Sequence, residues 1–191
     1  MDINFDKAAA FENTQRFWDW LAEHQASETE IWLKIYKKSS DIPTVSWDEA
    51  VIAAIAWGWI DGVKKSHDDL AYFQRFTPRK KNSAWSKRNR GHAENLILQG
   101  RMQAPGLAAV ELARASGRWD VAYAGSADME IPADFLHALK SDAQAQAFYK
   151  TLNRANLFSI YHRLHTAKKP QTRQDRMAKI LDKLAKGETF H

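Results

Sequence analysis

Apolar positions along this chain change their period several times, and each change marks an element. After Thr14, which can cap a helix, Phe17, Trp20, Leu21 and His24 fall on one helical face. The segment Glu30-Ile-Trp-Leu-Lys-Ile-Tyr-Lys-Lys38 alternates instead. Ile31, Leu33 and Ile35 take one side, and Trp32, Lys34 and Tyr36 the other, which is the period of a strand. Asp41-Ile-Pro43 reads as a loop. Ser46-Trp-Asp-Glu49 has the form of a capping box, in which the serine and the glutamate each serve the other's backbone amide. The helix it predicts runs to about Trp57, with Ala50, Val51, Ala54 and Ile55 as its buried stripe and Gly58 ending it in a left-handed conformation.

The segments 59–65 and 70–77 read as two strands of a hairpin joined by Ser-His-Asp-Asp, with Pro78 stopping the second. Ser83 or Ser86 caps a helix ending at Gly100. Pro105 suits the first turn of the next helix, which Gly117 closes. Residues 120–132 read as an acidic, small-residue loop. Helical spacing returns at 132–139, 142–152, 153–166 and 171–186, the last with Met177, Ile180, Leu181 and Leu184 as its stripe. No internal repeat is present. A small antiparallel sheet packed with helices, followed by a helical C-terminal region, defines an α+β class. The expected organisation is an α+β core over 1–125 and a helical region over 126–191, together one structural domain.

Composition narrows the picture. The chain has 191 residues, 45% of them hydrophobic, with eight Trp and nine Phe, enough for one well-packed core and too many for a disordered segment. The absence of cysteine rules out disulfides, thiolate metal sites and a thiol nucleophile. The first residues mix charged and apolar types without a basic start and an unbroken apolar stretch, so a secretory signal is not expected. The apolar run from Ala50 to Trp59 is far shorter than the roughly 20 residues of a bilayer span. The expected location is cytoplasmic.

Charge changes the picture most. Between Leu70 and Ala93 there is no acid, and Arg75, Arg79, Lys80, Lys81, Lys87, Arg88 and Arg90 lie there, so a net charge of +5 is concentrated in one segment. This stretch joins a strand end to a helix start, where free amides and a partial positive charge receive anions. Arg79, Lys80, Lys81, Ser83, Lys87, Arg88 and Arg90 are the candidate ligand-binding residues, with Trp85 available to stack on a base or sugar. Asn82, Ser86 and Asn89 add neutral donors. The competing reading is a solvated basic loop with Trp85 in the core. In Trp57-Gly-Trp-Ile-Asp-Gly62, Asp61 is a candidate acid–base group, or else a turn residue or the partner of an arginine such as Arg79. Arg118 and Asp120 can pair locally beside Trp119. His162 and His165 share a helical face, but nothing in their spacing forms a zinc motif, and no metal site is expected. No Gly-rich phosphate loop, GxGxxG or GxSxG occurs, and no cofactor is indicated.

These segments together resemble the YdeI/OmpD-associated, or bacteriocin-protection, family. The residues that carry the resemblance are Glu30 to Lys38, Trp47 to Val51, Trp57 to Gly62, Phe76 to Arg79 and Ser83 to Lys87, then Gly117 to Asp120 and the tail from Ala167 to Arg173 with Arg176, Lys186 and Gly187. The chain departs from the pattern at Ala56-Trp57, where a larger residue followed by Phe or Tyr would be expected. The resemblance implies a role in bacteriocin protection or stress tolerance and carries no established reaction or catalytic residue.

Three functions follow as expectations. The first is a cytoplasmic binding protein whose anionic ligand is a nucleic acid, a phosphorylated metabolite or an acidic protein surface. The second is an enzyme with a small pocket that uses Asp61 as acid–base group and Arg79 as anchor. The third is an interaction module built on the basic tail from Ala167 to His191.

Overall fold

The computed structural model of the protein describes residues 2–190; His191, the last residue of the basic tail, lies outside the described residues. The chain divides into two compact units, Met1–Val121 and Ala122–His191.

The first unit is built on a four-stranded sheet of order β1-β2-β4-β3. Its strands are β1 (Ala8–Ala10), β2 (Ile31–Tyr36), β3 (Trp59–Ser66) and β4 (Ala71–Pro78). β2 pairs with β4, and β4 with β3, antiparallel as the sequence pattern implies. The expected antiparallel sheet is in fact mixed, because β1 adds a parallel edge, Ala8 opposite Trp32. Three alanines carry no alternation, so nothing in their own pattern marks them as a strand. Its helices are α1 (Thr14–His24), α2 (Trp47–Ala56), α3 (Lys87–Leu98) and α4 (Ala104–Ala115).

Local chemistry sets the helix ends. The Ser46–Glu49 capping box forms in both directions: the Glu49 amide donates to Ser46 Oγ at 3.3 Å, and the Ser46 amide to Glu49 Oε2 at 2.9 Å. Such caps are worth about 1 kcal/mol. α1 is capped one residue before Thr14, by Asn13, whose side chain accepts from the Arg16 amide at 3.0 Å. Ser86, not Ser83, caps α3. The hairpin turn is held by Asp68, whose Oδ1 accepts from the Leu70 and Ala71 amides at 2.8 and 2.7 Å.

α2 packs against α1, α3, α4 and β3, so its buried set is wider than a stripe and includes Ala53 and Ala56. Phe17 meets Phe76 at 5.6 Å, and Trp20 meets Trp59 edge-on at 5.8 Å. The Trp59 indole donates to the Gln25 carbonyl at 3.3 Å. Trp32, on the expected amphipathic face of its strand, is buried. Each such ring contributes about 1.5–3 kcal/mol by leaving water.

The second unit is helical: α5 (Ala133–Leu139), α6 (Ala143–Tyr149), α7 (Arg154–His165) and α8 (Pro170–Ala185). Phe135, Leu139, Ala145, Ile160, Leu164, Ile180 and Leu184 form its core. The loop before α5 is tied down by Arg154, which donates to the Ser126 and Ala127 carbonyls, and by the Tyr161 hydroxyl, which accepts from the Ala124 amide at 2.8 Å. The stripe of α8 belongs to this core: Ile180 and Leu184 are buried, and Met177 and Leu181 pack on it. It is therefore not an open face for a partner. No helix among the described residues is long and apolar enough to cross a membrane.

Candidate functional site

β4 ends at Pro78, and the Arg79 amide donates to the Gly58 carbonyl at 2.9 Å, which fixes where the basic loop begins. Arg79 then turns back on its own loop. Its guanidinium lies 3.7 Å from the Trp85 ring centroid and donates to the Ala84 carbonyl at 3.3 Å. A cation held over an indole face contributes about 0.5–2 kcal/mol. Ser83 Oγ accepts from the Lys80 amide at 3.1 Å and closes the turn.

Trp85 is only 3% exposed. Arg79 covers its face, and Trp119 meets it at 4.9 Å between ring centroids. The expectation that Trp85 stacks on a base or sugar is thus corrected: its surface is already occupied, and it serves as the wall of a small pocket. That pocket holds about 30 Å3 and is lined by Arg79, Lys80, Lys81, Ser83 and Arg118 over Trp85 and the α4 residues Ala109, Leu112 and Ala113. That volume is room for about one or two water-sized groups, so only the terminal oxygens of an anionic group fit and the rest of a ligand stays outside. No acid is among its lining residues.

Arg118 is the member that the sequence did not assign. Local pairing with Asp120 was one expectation for it. Instead its guanidinium donates to the Lys81 carbonyl and to Asn82 Oδ1, which brings the end of α4 to the basic loop. Its only sequence signal is its position just after Gly117, whose φ of +67° turns the chain out of the helix.

The other cations of the acid-free stretch are not all available. Arg75 pairs with Glu30 at 2.5 Å, and Arg88 with Asp48 at 2.7 Å. Arg90 reaches Glu94 at 3.6 Å and the Trp119 carbonyl at 3.4 Å. Lys87 is exposed at the start of α3. Arg88, Arg90 and Lys87 do not line the pocket.

Asp61 stands on β3 opposite Phe76, half-buried. Burial pushes its carboxyl above the usual range. Its own amide, the Arg79 charge, a hydrogen bond from Trp47 and the Arg88 charge act in the other direction. The same neighbourhood contains His92, held below the usual imidazole range by burial and then by Arg88. Asp61 thus lies within the field of both arginines but does not line the pocket. A larger concavity of the first unit, about 440 Å3, is elsewhere, between Ile35, Tyr36, Trp47 and Tyr72. Among the described residues no group of three or more His, Asp or Glu is placed to hold a metal.

The first unit is thus an α+β domain with a small loop pocket whose lining carries Arg79, Lys80, Lys81 and Arg118 and no acid. Residues 9–109 match the family described as a domain of unknown function, DUF8412, and the chain belongs to that family. Residues 128–187 match the family described as bacteriocin-protection, YdeI or OmpD-associated. The resemblance seen in the sequence is therefore shown for the C-terminal helices. Its motifs between Glu30 and Lys87 fall in the other match. No curated protein and no solved structure matches the chain.

Proposed function

We propose that the protein binds a compact oxyanion, a terminal phosphate or a carboxylate of a metabolite, at the loop pocket. Arg79, Lys80, Lys81 and Arg118 supply the charge, and Ser83 adds a hydroxyl. The observation that carries this reading is the convergence of these four cations on a pocket with no acid in its lining. Asp61 serves the site by orienting Arg79 rather than by proton transfer. A role in bacteriocin protection or stress tolerance, in the cytoplasm, would then run through this ligand.

An extended nucleic-acid track is less well supported than a compact anion. Arg75, Arg88 and Arg90 each have a carboxylate within 4 Å, and Trp85 offers no open face. The test is calorimetric titration with pyrophosphate and with a short single-stranded oligonucleotide at several salt concentrations. Pyrophosphate should bind, and Lys80→Glu with Lys81→Glu should weaken it at least about tenfold, about 1.4 kcal/mol. For the oligonucleotide the salt slope should stay below about 3 in magnitude, as four cations at roughly 0.7 each require. Unchanged affinity in the double variant would overturn the reading, and a steeper slope would replace it with an extended polyanion surface.

A further inference from the structure

A further concavity, about 430 Å3, lies within the C-terminal unit between α7 and α8. Its lining is Phe158, Ser159, His162, Arg163, Thr166 and Arg176, two guanidiniums with no carboxylate among them. The two arginines are fixed in place by neutral acceptors. Arg163 donates through Nε to Ser159 Oγ at 3.3 Å, and its guanidinium lies over the Phe190 ring at 4.2 Å. Arg176 donates through Nη1 to the Arg163 carbonyl at 2.7 Å and to Thr166 Oγ1 at 3.2 Å.

This way of anchoring matters. A guanidinium carries five N–H donors in a rigid fork. The bonds above use one in Arg163 and two in Arg176, so most of the donors, and both full charges, remain for a ligand. Among the described residues neither arginine forms an ion pair. Capping the C-terminal end of α7 accounts for the bonds of Arg176, but it does not require a second arginine beside it.

The electrostatics agree. Burial holds the His162 imidazole below its usual range, and His165, Arg163 and Arg176 add to the effect. His162 is thus neutral near pH 7 and can either donate or accept. It stands edge-on to Tyr123 at 4.7 Å, with Phe158 at 5.9 Å. The volume falls within the usual range for small-molecule sites, roughly 300–1,000 Å3. A bare inorganic anion would neither fill it nor use the Phe158 wall.

We propose that the α7–α8 cleft is a second binding site, for a small organic oxyanion carried on a flat ring, with Arg163 and Arg176 clamping the carboxylate or phosphate and Phe158 lying against the ring. It is independent of the loop pocket and uses none of its residues.

The experiment titrates the full chain with phenyl phosphate, benzoate and inorganic phosphate, read by the imidazole NMR signals of His162 and by calorimetry. Phenyl phosphate or benzoate should move the His162 signals saturably, and whichever binds assigns the phosphate or the carboxylate as the anion. Arg163→Met and Arg176→Met should each weaken binding at least about tenfold, the loss of a charge-assisted pair. Phe158→Leu should weaken the ring-bearing ligands more than inorganic phosphate. The Lys80→Glu/Lys81→Glu variant should bind as the wild type does, which separates this site from the loop. If the methionine variants fail to fold, the wild-type His162 titration decides alone. No saturable shift of His162 with either ring-bearing ligand, or undiminished affinity in folded arginine variants, would overturn the proposal.

Discussion

Gly106 tests how the loop pocket is positioned, because α4 supplies three of its lining residues. A Cβ added at Gly106 would lie 2.8 Å from the Ile55 carbonyl oxygen and 2.5 Å from Met102 Sδ, and closer still to the Ala56 carbonyl oxygen. Ordinary carbon–oxygen contacts begin near about 3.3 Å. Met102 can swing aside, but the two carbonyls are backbone, so Gly106→Ala must push α4 away from the end of α2. That movement strains the bond from the Gln103 amide to the Ala56 carbonyl, 3.1 Å long. Overpacking costs about 1–3 kcal/mol and a weakened hydrogen bond up to about 1, while alanine in a helix returns about 1. At the middle of these ranges the expected net loss is about 1.5 kcal/mol. Gly91 in α3 supplies the control: nothing lies within 4 Å of its added Cβ, so Gly91→Ala should stabilise by about 0.5–1 kcal/mol. All eight tryptophans lie between Trp18 and Trp119, so tryptophan fluorescence in a urea titration reports the first unit alone. Gly106→Ala matching or exceeding the wild-type midpoint would refute the close approach as the reason for the glycine.

Two carboxylates should respond to pH with opposite sign. Asp134 is held below the usual carboxyl range, first by its hydrogen bonds to Arg173. The stability it contributes is present above about pH 3.9, the unfolded value, and is lost as pH falls through the lower folded value. Asp134→Asn should cost at most about 1 kcal/mol at neutral pH, since the pair is largely exposed, and the cost should fade in acid when followed by circular dichroism. Asp61 is raised by burial, so its contribution is fullest below the unfolded value and is lost as pH rises through the folded one. Asp61→Asn should compare best with the wild type at neutral pH and less well in acid by tryptophan fluorescence; the reverse order would contradict the burial argument.

Where an element makes its own case by period and cap, the sequence was sufficient. The α2 capping box, the β3–β4 hairpin and the α8 stripe need only residues a few positions apart, and all three form. β1 was hidden because Ala8–Ala10 becomes a strand only when the edge of β2 lies beside it. The buried state of Trp32, on a face that its lysine and tyrosine neighbours mark as amphipathic, likewise depends on what packs there. Arg118 joins Lys80 and Lys81 across a separation of more than thirty residues, with no pattern that links them. The α7–α8 cleft was missed for the same reason, since its two arginines sit thirteen positions apart on different helices.

The acid-free stretch shows the most instructive difference between charge along a chain and charge in space. Sequence alone places seven cations in one stretch, Leu70 to Ala93, that itself contains no acid. Folding brings Glu30, Asp48 and Glu94 to three of these cations from before and after the segment, and Arg79 settles on an indole face. A cation next to a carboxylate contributes little field beyond a few ångströms, because the pair acts outward as a dipole and solvent screens what is left. The basic surface that remains is therefore smaller than the sequence implies, and it is displaced toward Lys80, Lys81 and Arg118. A segment that looked like a track for a polyanion becomes a point of attachment for one anionic group, which is why the salt slope with an oligonucleotide discriminates more sharply than binding itself.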